Sequence, residues 1–387
     1  MTAPSYTSFP LVFALWGAGL GAAAQYGKMS VVFDLLPQVY PDQGQALGFV
    51  VSLVGFVGIL LGVVAGLVVA RVRYRRALLW ALWGGAVVSA FQATLPSLEW
   101  MLASRVIEGA SHLMIVVAAP TLIAQLSADR HRGFTLTLWG TFFGVAFAIL
   151  VWAGRPLAVA YGLPVLFAAH AAYMAVFAIH LSSRLQALPR EAAQPAFSFA
   201  QIIRDHLTIY RSPRLSAPAA GWLFYTFSFV SILTVLPPYL PEGSRAMIMG
   251  AMLLTSMAVS MTLGVILLRH LPAVRVVQLG FGFSALSVLW LWAAPSALPA
   301  CLALAAAMGL IQGASFAAVP QLNTTPAAQA QANGAMAQMG NIGNTLGTPV
   351  MAAGLAAIGY NALPLFAGIA FMGGLAAHLI LGIFRRR

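Results

Sequence analysis

Apolar runs of about twenty residues recur along the whole chain, and nearly all the charge collects in the short loops between them. A helix rises 1.5 Å per residue, so a run of that length crosses a hydrocarbon core of about 30 Å. In hydrocarbon the backbone must satisfy its own hydrogen bonds, which leaves only helices and closed barrels. Barrel strands would alternate apolar and polar residues over short segments. These runs do not alternate. Composition points the same way: 61% of the 387 residues are hydrophobic and 7% are charged. Soluble domains carry about 25% charged residues, so this chain lacks the polar groups to cover a water-facing surface. An all-α polytopic protein surrounded by a lipid bilayer is expected. The first run has no basic flank and no small-residue cleavage site, and reads as a retained helix rather than a signal peptide.

The runs resolve into twelve transmembrane helices at 10–36, 45–70, 77–95, 99–126, 134–154, 160–182, 216–240, 245–268, 273–294, 297–320, 333–358 and 361–383. Sixteen of the twenty basic residues fall in alternate loops and the C-terminal tail, whereas the opposite loops hold only Arg155 and Arg245. By the positive-inside rule both termini are cytoplasmic, in a multi-pass protein of a bacterial inner (plasma) membrane. The net charge of +12 is therefore a topology signal, and no nucleic acid partner is expected.

The longest loop, 183–215, separates residues 1–182 from 216–387, two bundles of six helices each. Within it, Phe199, Ile202, Ile203, Leu207 and Tyr210 share one helical face, and Ser198 with Gln201 has the form of a capping box. A helix on the cytoplasmic membrane surface is expected there. The two halves repeat each other. "LPQVYP" at 36–41 returns as "LPPYLP" at 236–241, and "VIEGASH" at 106–112 returns as "LIQGASF" at 310–316. Order and orientation match, so the bundles are parallel and pseudo-symmetric, the arrangement that can enclose a midplane cavity. Rows of small residues, such as Gly58, Gly62 and Gly66, or Gly343 and Gly347, permit close helix packing.

With six plus six helices, cytoplasmic termini and a long central loop, nearly the whole chain resembles a major facilitator superfamily transporter. The loop after the second span, "GLVVARVRYRR", is similar to the family pattern Gly-xxx-Asp-Arg-x-Gly-Arg followed by basic residues. Gly66, Arg71, Arg75 and Arg76 fit, while Ala70 replaces the aspartate and Arg73 the glycine. The resemblance implies a gating role for Gly66, Arg71 and Arg75. "RVIEG" resembles the fourth-span motif Arg-x-x-Gln-Gly with Glu108 in place of glutamine. In the family that arginine is associated with proton coupling or substrate binding, and spans 1, 4, 7 and 10 line the cavity. The fifth span lacks the Gly-Pro of the antiporter motif.

Charge inside the spans is costly unless it faces water or a partner, and it is concentrated here. Arg105, Glu108 and His112 form one stripe of the fourth span, and Lys28 lies at a comparable depth on the first, with Gln25 one turn away. Lys28, Arg105, Glu108 and His112 are expected to share one chamber. Lys28, Gln25 and Arg105 would bind substrate, Glu108 would carry the proton, and His112 would relay it. A cluster that merely joins two helices is the structural alternative. His170, His180 and His378 read as packing. The second half offers neutral groups: Trp222 and Tyr225 in an aromatic stripe with Phe229, Gln338 and Asn341 on the eleventh span, and Gln312 as repeat-mate of Glu108.

Two cations, one carboxylate and neutral amides suggest a secondary active transporter of a small polar, anionic organic solute, coupled to protons and working by alternating access. A proton-coupled exporter of cationic or amphipathic compounds is the alternative, and a non-transporting receptor or assembly protein is a third reading. No nucleotide loop, catalytic triad or metal spacing occurs, so neither an enzyme nor a cofactor is expected, and the family resemblance implies a monomer. Cys301, the one cysteine, reads as a buried apolar residue.

Overall fold

The structure is a computed structural model that describes residues 6–41, 43, 46–185, 199–295 and 297–386. Each of the twelve expected spans corresponds to a helix. They are α1 (Phe9–Ser30), α2 (Ala46–Val72), α3 (Tyr74–Gln92), α4 (Leu98–Leu126), α5 (Asp129–Tyr161) and α6 (Leu163–Arg184). The second set is α7 (Ser216–Val235), α8 (Arg245–Val259, continued to His270), α9 (Ala273–Ala293), α10 (Leu298–Leu322), α11 (Pro326–Ile358) and α12 (Ala362–Arg386). Among the described residues ten segments are long and apolar enough to cross a membrane, with α11 and α12 counted as one run and α3 not among them. The protein is an integral multi-pass membrane protein.

Several ends differ from the sequence reading for local reasons. α1 stops at Ser30 rather than 36, and the chain continues as a 3-10 turn, Phe33–Leu35, before the short helix Leu36–Val39. α11 begins at Pro326 rather than 333. There the Thr325 side chain accepts a hydrogen bond from the Ala328 amide, and the proline suits the first helical turn. α2 and α3 are parted by Arg73, whose φ of 83° cannot continue a helix. α5 and α8 each contain one π turn, Leu150–Gly154 and Ser260–Gly264.

Contacts divide the chain into two units. The first comprises Met1–Ala128 and Thr141–Asp205, and the second Asp129–Gly140 and His206–Arg387. In the first, α4 packs against α1, α2 and α3, and α6 packs against α1 and α3. In the second, α7 packs on α11 and α12, α9 on α10 and α12, and α8 on α10. The start of α5, Asp129–Gly140, also lies against α10. α7 approaches α11 closely, and a Cβ on Gly347 would fall 3.0 Å from Phe227 Cα. That closeness explains the glycine row on α11.

The linker contains the helix Phe199–Arg211. Ile203 and Leu207 on it are exposed and Ile209 is buried. The expected Ser198–Gln201 cap lies outside the described residues and side chains.

Candidate functional site

The polar centre of the first unit is assembled from α1, α3, α4 and α6. Glu108 is its hub. Its Oε1 lies 2.6 Å from Lys28 Nζ, and its Oε2 pairs with Arg105 Nη1, three residues back on α4. Gln92 of α3 donates to the same Oε2 at 2.8 Å and to Ser104 Oγ at 2.9 Å. Arg105 Nε donates to the Val50 carbonyl of α2 at 2.7 Å, and its Nη2 has no partner among the described residues. Lys28 Nζ also donates to Ser89 Oγ at 2.6 Å and lies 3.3 Å from His170 Nδ1. The same ring nitrogen is 2.7 Å from Ser89 Oγ, and His170 Nε2 is 3.0 Å from the Gly21 carbonyl. A carbonyl can only accept, so Nε2 carries the ring proton and Nδ1 is the acceptor for Ser89 and Lys28.

Lys28, Arg105, Glu108 and Gln25 are 0% exposed. Of the four side chains expected to share one chamber, Lys28, Arg105 and Glu108 meet in one sealed cluster. Burying ions is tolerated because each is paired or hydrogen-bonded. Gln25 is not in contact with Glu108; its Nε2 donates to Ser111 Oγ at 2.8 Å, which donates on to Ala81 O. His112 is not joined to Glu108 either. Its Nδ1 is 2.8 Å from the Ala22 carbonyl and its ring meets Tyr26 edge-on. The sequence reading treated His170 as packing and passed over Ser89, Gln92 and Ser104. The available signal was the Ser89–Gln92 spacing, which puts two polar side chains on one face of α3.

In the second unit Trp222 stacks on Tyr225 at 4.8 Å between centroids, and Tyr225 on Phe229 at 5.3 Å. Phe316, the repeat-mate of His112, meets Trp222 edge-on. The Tyr225 hydroxyl is buried without a partner among the described residues. The amides are already engaged: Gln312 donates to Gly140 O at 2.6 Å, Asn341 to Ala337 O at 2.7 Å, and Gln338 accepts from Tyr210 of the linker helix at 2.5 Å.

Of the expected gating residues, Gly66 is buried in α2 and Arg71 is half-buried. Arg75 donates to the Ser182 carbonyl at the end of α6, 3.0 Å away. Outside the helical core, Asp34 and Arg155 form a largely exposed bidentate pair. No group of three or more His, Cys, Asp or Glu that could hold a metal occurs among the described residues.

A multi-pass helical bundle with an ion cluster buried among its helices has the build of a membrane transporter. The profile of the Major Facilitator Superfamily matches residues 15–271, and the chain belongs to that superfamily. Solved structures share the fold. FucP in its outward conformation superposes with a TM-score of 0.76 at 16% identity, covering 97% of this chain and 99% of its own. The human organic anion transporter MFSD10 (TETRAN) gives 0.74 at 16% identity, with coverage of 95% and 98%. The proton:xylose symporter XylE, bound to 6-bromo-6-deoxy-D-glucose, gives 0.75 at 15% identity, with coverage of 97% and 95%. No curated protein sequence matches the chain.

Proposed function

We propose that the protein carries a small polar, anionic organic solute across a bacterial inner membrane, coupled to protons, by alternating access. The observation that carries this reading is the sealed triad: two cations, Lys28 and Arg105, share the single carboxylate of Glu108. The cluster holds one positive charge in excess, and Arg105 Nη2 is a buried donor with no partner among the described residues. A carboxylate or similar anion would supply both the charge and the acceptor. When it binds, Glu108 loses part of its claim on the cations and takes up a proton. Gln25 borders this site and His112 relays the proton along α4. On the second unit Trp222 and Tyr225 would contact the solute, and Gln312, Gln338 and Asn341 would join them only in a state that breaks their present hydrogen bonds, while Gly66, Arg71 and Arg75 belong to the gate. The protein works as a monomer, with cytoplasmic termini.

Two structural neighbours support the chemistry. FucP of E. coli is described as a fucose:proton symporter and MFSD10 as an organic anion transporter. A neutral sugar is the second reading, favoured by the Trp222–Tyr225–Phe229 stack, a platform suited to a sugar ring. Proteoliposomes loaded with a panel of carboxylates, sugars and organic cations separate these. Proton-gradient-driven accumulation of a carboxylate is expected. Accumulation of sugars alone selects the second reading, and counterflow of no solute class at either pH sinks both.

A further inference from the structure

The outer face of α9 carries a groove of about 620 Å³ that belongs to the second unit alone. Its stripe is Arg275, Leu279, Gly282 and Leu286, spaced by four, three and four residues as one helical face requires. Leu375 of α12 forms part of the wall. The lining changes character along its length. Leu271 of the α8–α9 loop closes one end, Arg275 and Gln278 follow as the polar lining residues, and from Leu279 to Leu286 the lining is apolar. Arg275 is exposed and makes no ion pair among the described residues. Gly282 leaves the floor open, since a Cβ there would meet nothing within 4 Å. Leu279, Phe283 and Leu286 are 40%, 51% and 62% exposed.

From Arg275 to Leu286 the helix rises about 16 Å, close to one leaflet of a core about 30 Å thick. A cation at the interface with an apolar trough one leaflet deep matches one kind of molecule. We propose that the groove holds an anionic phospholipid, its phosphate on Arg275 and Gln278 and one acyl chain along Leu279, Gly282 and Leu286. Basic sites between transmembrane helices on the cytoplasmic side suit such headgroups. The basic-loop asymmetry assigns the Arg275 end to that side.

Native mass spectrometry of the purified full chain, titrated with phosphatidylglycerol or phosphatidylcholine, tests this. Wild type should retain phosphatidylglycerol about five-fold better, the scale of one basic residue at an anionic surface. Arg275→Gln should abolish the preference while leaving weak binding of both lipids. Gly282→Leu fills the trough without touching the headgroup, and should release both. Melting curves confirm that each variant is folded. Equal retention of the two lipids by wild type overturns the proposal. So does unchanged binding in Gly282→Leu, which would reduce the site to a headgroup contact.

Discussion

Lys28 Nζ sits 2.6 Å from Glu108 Oε1, with neither side chain exposed. The pair joins α1 to α4, and Arg105 makes it a triad. The charges do not balance: two positive groups face one negative group. Lys28 offsets its share by donating to Ser89 and lying against the acceptor nitrogen of His170. Arg105 spends its Nε on Val50 O. An added anion, or the loss of one cation, would balance the charge of the cluster.

The imbalance predicts an order of stability. Glu108→Gln leaves two buried cations side by side and should cost about 3–5 kcal/mol, the scale of breaking a buried pair. Lys28→Met leaves Arg105 and Glu108 as a neutral pair, while Ser89 still reaches His170 Nδ1 at 2.7 Å. It should cost less than half as much. Thermal unfolding of both variants in one detergent checks the order. A Lys28→Met variant less stable than Glu108→Gln would mean that the charge count does not govern the cluster.

Much of this was legible in the sequence, and the reasons are physical. Twelve helices follow from apolar length, and Lys28, Arg105 and Glu108 stood out because charge is rare inside spans. Ser89, Gln92 and His170 did not. Neutral polar residues are common in membrane helices, and only packing shows that these face α1 and α4 rather than another neighbour. The same limit applies to the amides. Gln338 looked like a free stripe residue until Tyr210 was seen to occupy it. The start of α11 was placed late because apolar periodicity weakens there, whereas the Thr325–Pro326 cap fixes it.

Arg73 offers a test of the loop between α2 and α3. Its φ of 83° and ψ of 126° belong to a region that suits glycine, and the family pattern has glycine at this position. Arg73→Gly should stabilise the protein by about 1 kcal/mol, the low end of such backbone strain. Arg73→Ala should give no gain, because alanine retains the Cβ that causes the strain. Melting temperatures of the three proteins decide it, and an Arg73→Gly variant no more stable than wild type removes the strain argument.

Sixteen basic residues against two predict cytoplasmic termini by the positive-inside rule. Green fluorescent protein fused after Arg387 should fluoresce, and alkaline phosphatase fused there should be inactive. Active phosphatase with dark fluorescent protein would invert the topology and, with it, the leaflet of the Arg275 groove.

Coupling is the sharpest question for Glu108. Its repeat-mate Gln312 shows that this helical position accepts an amide: Gln312 is satisfied by donating to Gly140 O at 2.6 Å. Glu108→Gln keeps the shape of the side chain and removes the group that can take a proton, at the cost of one of the two acceptors that Lys28, Arg105 and Gln92 use. It also removes the carboxylate that competes with substrate for Lys28 and Arg105, so an anionic solute should bind at least as tightly. Exchange across vesicles with solute on both sides requires only binding and the conformational cycle, and should persist in the variant. Accumulation driven by a pH gradient requires a proton to enter and leave with the solute, and should vanish. Both assays run on the same proteoliposome preparation, so a misfolded variant is recognised by loss of exchange and is replaced by Glu108→Asp, which restores a carboxyl and should restore accumulation. A Glu108→Gln protein that exchanges solute and still concentrates it with a pH gradient would move the coupling site elsewhere in the chain.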